Sequence, residues 1–161
     1  MMKPVHTAGA EFSPCRLYRY SLWRLWGQPT DGYAMFIGLN PSTADEKVDD
    51  RTVRRCISYA QDWGYGGLVM TNLFAFRATK PTAMKAATDP VGAENDAYLH
   101  RLSKDAAVVV AAWGDDGLHM ARGEAVRKML PSLHALAFTK AGLPRHPLYL
   151  HRSLTPVPWL K

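Results

Sequence analysis

Three apolar runs in this chain each break off into a short polar signature. Tyr33–Leu39 leads into Asn40-Pro41-Ser42-Thr43-Ala44-Asp45, Leu68–Leu73 carries Thr71-Asn72 near its end, and Ala106–Trp113 stops at Gly114. Uncharged runs of that length, bounded by turn residues, predict buried strands. A strand or hairpin over residues 16–26, ended by the turn chemistry of Gly27–Gly32, precedes them, and a last strand over Leu133–Phe138 follows. Between the strands the period becomes helical. Asp49 or Asp50 caps a helix running to about Trp63, with Val53, Cys56, Ile57 and Ala60 at i, i+3, i+4, i+7. Short helical turns around Thr82–Ala87, a helix over Glu94–Ser103 and an amphipathic helix from about Leu118 to Leu130, stopped by Pro131, complete the set. Strands alternating with helices predict right-handed crossovers and an α/β fold in three α/β/α layers, its central sheet mainly parallel and covered on both faces. Residues 1–14, interrupted by Pro4, Gly9 and Pro14, show no period and read as a loose arm before one α/β domain over 15–161.

In such a sheet the carboxyl ends of parallel strands share one crevice, so groups far apart in sequence converge there. Asn40, Asn72, Trp113 and His146, the last in a turn-rich segment Thr139–Tyr149, are therefore candidates for a single site. Gly38 permits close backbone approach to a ligand, Asn40 carries an amide donor and acceptor, and the Pro41-Ser42-Thr43 turn exposes hydroxyls or backbone N–H groups. The same residues would also serve as an Asn-Pro turn with a helix cap. A planar amide at Asn72 can read a base edge by paired hydrogen bonds, or merely tie down a loop. His146 can stabilise an anion developing on a carbonyl oxygen, although a lone loop histidine is more often inert. Phe74 and Trp113 are candidates for the walls around a flat ring, or simply core. Among Asp45, Asp49 and Asp50, one can orient a water as general base, while at least one complements the dipole of the following helix.

Composition narrows the partner. The 161 residues are 47% hydrophobic and 21% charged with a net charge of +6, an ordinary globular balance with a basic excess. Arg16, Arg19 and Arg24 are interleaved with Leu17, Tyr18, Tyr20, Trp23 and Trp26, a pattern that suits phosphates and bases and equally suits a half-buried strand with a solvated basic face. Arg54 and Arg77 are further phosphate-contact candidates. Two cysteines, Cys15 and Cys56, are too few for a disulfide framework or a cluster and read as free thiols. No recognisable ligand spacing supports a metal, no cofactor is indicated, and no run suits a signal or a membrane span, so a cytoplasmic location is expected. Oligomeric state is not legible.

The segments GLNPSTAD, DDRTVRRC, GYGGLVMTNLFAFRAT, DPVGAEND, AAWG and TKAGLPRHPLYL resemble a bacterial domain-of-unknown-function family, number 1643, from about Cys15 to Leu150. More distantly, Gly-x-Asn-Pro after a first core strand, Thr-Asn-Leu-x-x-x-Arg after a second, a Gly-ended strand and His-Pro-x-Tyr-Leu-x-Arg are similar to the uracil-DNA glycosylase superfamily. That resemblance implies a uracil-DNA-glycosylase-like fold, Asn40 near the scissile bond, Asn72 on the base edge and His146 at a base carbonyl. Leu148 and Tyr149 would then lie beside the duplex or a flipped nucleotide. The expectation is a nucleobase-recognising protein that hydrolyses an N-glycosidic bond in nucleic acid, with DNA the favoured partner. The alternatives are a non-catalytic nucleic-acid-binding protein and an enzyme acting on a free nucleotide or modified nucleoside.

Overall fold

A computed structural model describes residues 2–160. Its strands are β1 (Thr7–Phe12), β2 (Arg19–Leu25), β3 (Tyr33–Gly38), β4 (Gly67–Asn72), β5 (Val108–Ala111), β6 (His134–Ala135) and β7 (Val157–Pro158), and its helices are α1 (Arg51–Asp62), α2 (Pro81–Ala86), α3 (Asn95–Asp105) and α4 (Arg122–Met129). The strands form one seven-stranded sheet in the order β1-β2-β4-β3-β5-β6-β7. Only the inner strands β4, β3, β5 and β6 run parallel; β1–β2, β2–β4 and β6–β7 pair antiparallel. The sheet is thus mixed and not mainly parallel. Alternation of strands and helices reports only the crossovers of the inner strands, and antiparallel neighbours add themselves at both edges without a helix between them.

The arm is the second correction, because residues 7–12 form the edge strand β1, paired with β2 from Thr7↔Leu25 to Phe12↔Arg19. Gly9 interrupts no strand there: a side chain at this position would meet the Trp23 indole at 2.3 Å, so glycine is what lets the ring lie across the strand.

β3 is central, as an uncharged strand should be. Alternate residues feed two separate cores: Ala34 and Phe36 pack with Val53, Cys56, Ile57, Tyr59 and Ala60 of α1, while Met35 and Ile37 pack with Met84 of α2, Leu99 of α3 and Val126 of α4. α1 begins where its cap predicts, with the Asp50 carboxylate accepting from the Val53 N–H at 2.8 Å. Cys56 lies in this core with its thiol pushed well up by burial, and both cysteines are free. The expected last helix is split into a 3-10 segment over Asp115–Ala121 and α4, and the expected last strand shrinks to two residues. None of the helices is long and apolar enough to cross a membrane among the described residues.

Strand register sets a common floor for the loops. Gly38 pairs with Asn72 and Ile37 with Ala111, so β3, β4 and β5 end level at one edge of the sheet. The ladder continues one step beyond them: Leu73 N–H donates to Gly38 O at 2.9 Å and Ala112 N–H to Ile37 O at 2.8 Å.

Candidate functional site

At that edge lies a cavity of about 560 Å³, closed below by the ends of β3 and β4 and flanked by the first turn of α1. Gly38, Asn40, Pro41, Ser42, Thr43, Asp50, Arg54, Asn72, His146 and Leu148 all line it, as does Arg19. Leu39, Val53 and Met70 make its apolar walls. Residues far apart along the chain are brought together by the parallel register of β3 and β4 and by the loop carrying His146.

Asn72 is 4% exposed, and its Oδ1 accepts from Arg19 Nη2 at 3.4 Å. Because a guanidinium only donates, this contact fixes which end of the amide is oxygen and leaves Nδ2 as the free donor. Gly38 gives that donor its space, since a Cβ there would stand 2.9 Å from Asn72 Nδ2. Gly38→Ala is therefore expected to displace the amide and weaken ligand binding about tenfold, the loss of one good hydrogen bond, with little change in unfolding midpoint. Calorimetric titration alongside thermal unfolding checks both halves.

Asn40 is anchored through Nδ2, which donates to Ala78 O at 2.9 Å and Pro41 O at 3.1 Å, leaving Oδ1 as an acceptor. Asp50 spends one oxygen on its helix cap. The His146 Nδ1 accepts from Leu148 N–H at 3.2 Å, which in the neutral ring places the proton on Nε2 and makes that atom a donor. Desolvation of the ring at the cavity lowers the His146 pKa, opposed in part by the negative charge of Asp50, and this favours the neutral ring.

Other expected site residues lie elsewhere. Asp45 accepts from the Lys47 and Val48 N–H groups at 2.9 and 2.8 Å, contacts that lower its pKa and make it a turn residue. Asp49 pairs with Arg24 Nε at 2.8 Å. Of the three acids only Asp50 reaches the cavity. Phe74 and Trp113 are not walls of the site: both are buried in the core shared with α2, α3 and α4, and Trp113 packs against Gly117 and Gly123, where a Cβ would meet its ring at 2.2 and 2.9 Å. The reason is local geometry, because the chain turns after Asn72 and the odd positions of β5 face away from α1.

The basic stripe over residues 16–26 is also not a surface. Arg19 and Arg24 are buried, and Arg16 is tied by both its terminal nitrogens to Glu46 and lies over the Phe12 ring. Arg77 lies over the same ring and donates to Arg16 O, away from the cavity. The basic surface at the site comes from α1: Arg51, Arg54 and Arg55, with Ser58, Leu148 and Tyr149, line a shallow depression of about 520 Å³ that shares Arg51, Arg54 and Leu148 with the cavity. Tyr149 is 81% exposed at a backbone φ of 70°, with the Arg51 guanidinium 5.6 Å from its ring centre. Arg51, Thr52 and Thr79 also line the cavity. Sequence reasoning misses them as site residues, although they lie in the DDRTVRRC and GYGGLVMTNLFAFRAT segments and the first two directly follow the cap of α1.

Among the described residues no group of three or more His, Cys, Asp or Glu is placed to hold a metal ion. Fold and site together define an α/β protein with a strand-end cavity, polar groups set among apolar walls, beside a basic helix. The chain belongs to the family described as "Protein of unknown function (DUF1643)", whose profile matches residues 19–148. No curated protein and no solved structure gives a significant match.

Proposed function

We propose that the strand-end cavity accepts a nucleobase and that the protein hydrolyses an N-glycosidic bond in nucleic acid. The observation that carries this reading is the convergence of Asn40, Asp50, Asn72 and His146 on one cavity that opens beside the arginines of α1. The two cores on opposite sides of the sheet support a three-layer arrangement similar to the uracil-DNA glycosylase superfamily, in which the corresponding motifs surround the flipped base.

In this reading Asn72 Nδ2 donates to a base carbonyl, and the aliphatic walls of Leu39, Met70 and Leu148 replace the aromatic walls expected from the sequence. The Asp50 carboxylate and Asn40 Oδ1 hold a water by its hydrogens for attack on the anomeric carbon. As the C–O bond forms, the C–N bond breaks and its electron pair leaves with the base. His146 Nε2–H donates to the carbonyl on which that charge gathers, Asp50 takes the proton of the water, and the departing base is protonated from solvent. The arginines of α1 hold the flanking phosphates.

The test is incubation with single- and double-stranded oligonucleotides carrying uracil and other altered bases, with free base read by mass spectrometry. Release of a base is expected, and binding is expected to weaken steeply between about 50 and 200 mM salt, as about 3 phosphate contacts by Arg51, Arg54 and Arg55 require. Salt-sensitive binding without release would leave a nucleic-acid-binding protein; no binding at low salt would favour a free nucleotide.

A further inference from the structure

Strand β2 carries two buried arginines that are partnered very differently. Arg24 uses its donor fork inside the protein: Nε on Asp49, Nη1 on the Gly9 and Trp23 carbonyls, Nη2 on those of Asp45 and Val48. Arg19, 3% exposed, donates from Nη1 to Ala44 O at 3.2 Å and from Nη2 to Asn72 Oδ1 at 3.4 Å. Its Nε has no partner, and no carboxylate of the described residues forms an ion pair with it. Burial lowers its pKa to about 10, which leaves the guanidinium charged at neutral pH. The negative charge of Asp50, which lines the same cavity, offsets part of that burial cost from beyond ion-pair distance, and a desolvated cation with no ion-pair partner is costly to hold.

Arg19 lines the cavity. Beside it Asn72 has turned its oxygen to the guanidinium and has only Nδ2 left to offer, in the space kept open by Gly38. Arg19 and Asn72 thus have only N–H donors to offer the cavity, while its acceptors, Asn40 Oδ1 and the second oxygen of Asp50, come from the loop after β3 and the cap of α1. An oxygen carrying negative charge meets N–H donors on both side chains there and a guanidinium that has no ion-pair partner.

We propose that Arg19 and the Asn72 amide form an oxyanion subsite at the floor of the cavity, which takes a ligand oxygen carrying negative charge: the base carbonyl held by Asn72 Nδ2 if the glycosidic reading holds, a carboxylate or phosphate oxygen if it does not. The assignment rests on this cavity being the ligand site, though not on glycosidic chemistry within it. Arg19 is then a binding residue, and Arg24, further along the same strand, a structural one.

The experiment is thermal unfolding of the full chain at constant ionic strength, with chloride replaced stepwise by inorganic phosphate or by acetate. A saturable rise in midpoint is expected with at least one of them. Its half-saturating concentration is expected to be at least about tenfold higher in Arg19→Lys and Arg19→Gln and unchanged in Arg152→Ala, since a charge-assisted contact of this kind is worth that much. A response to phosphate alone assigns a tetrahedral group, and one to acetate alone a planar group. A second readout needs no variant: the Nε resonance of Arg19 in the wild-type chain is expected to move with the same anion. No saturable rise with either anion, a rise that survives in Arg19→Gln, or an Arg19 resonance that stays in place through the titration would overturn the proposal. Anion binding without base release from oligonucleotides would overturn the glycosidic reading and leave this subsite standing.

Discussion

Arg24→Met protein is expected to unfold with about 3–5 kcal/mol less free energy than the wild type, the usual loss when one partner is removed from a buried, hydrogen-bonded ion pair. The guanidinium is 2% exposed and ties β1, β2 and the loop before α1 together through Asp49 and four backbone carbonyls. Methionine fills much of the volume but satisfies none of those acceptors. Asp49, with 31% of its side chain exposed, recovers part of its hydration, which keeps the effect from the top of the range. Against a total stability of about 5–15 kcal/mol this is a large share. Urea unfolding checks it, with the slope compared so that a changed denatured state is not mistaken for lost stability. Arg145→Ala, at an exposed position, is expected to change stability by less than about 0.5 kcal/mol. Equal losses in the two variants would show that the buried network contributes nothing.

The second large effect is on turnover. On the substrate found by base release, His146→Ala and Asn72→Ala are each expected to lower kcat about a hundredfold, since a donor preorganised for developing charge is typically worth about 3 kcal/mol of barrier. His146 sits on an exposed loop, so its removal leaves the fold intact. Asn72→Ala also unpartners an Arg19 N–H, and its circular dichroism and unfolding midpoint must be read beside its rate. Cys56→Ala is the comparison, a packing change in the α1 core that leaves turnover near wild type. The pH profile adds a sign. Because the folded pKa of His146 is lowered below its ordinary value of about 6.5, the unfolded chain takes up the proton first as the pH falls. Its contribution to stability is therefore present above pH about 6.5 and is lost as the pH falls through the folded pKa. If neutral His146 is the donor, turnover is flat above pH about 6.5 and falls on the acid side, and that limb disappears in His146→Ala. Folded variants with full turnover would place the chemistry elsewhere.

Local chemistry made much of this molecule readable. The cap at Asp50 and the apolar spacing from Val53 to Ala60 define α1 because a helix is specified by contacts within one or two turns. The uncharged β3 had to be central, and the polar residues closing β3 and β4 had to meet once those strands paired in parallel register. What β1 does, by contrast, depends on Trp23 lying across Gly9, and the mixed direction of the sheet depends on which edges remain open after the inner strands have paired. The two arginines of β2 look alike in sequence. Their difference comes from partners distant along the chain, Asp49 and the loop after Asp45 for one, Ala44 and Asn72 for the other. Phe74 and Trp113 could have faced the cavity or the core, and the turn after β4 and the glycines around Trp113 settled it. Short-range periodicity and capping thus suffice to read the elements and the polar groups at their ends from the residues alone. Which charges are buried, which acids are already engaged and which donors are left for a ligand emerge only on folding, because burial and hydrogen-bond partnership are properties of the packed chain.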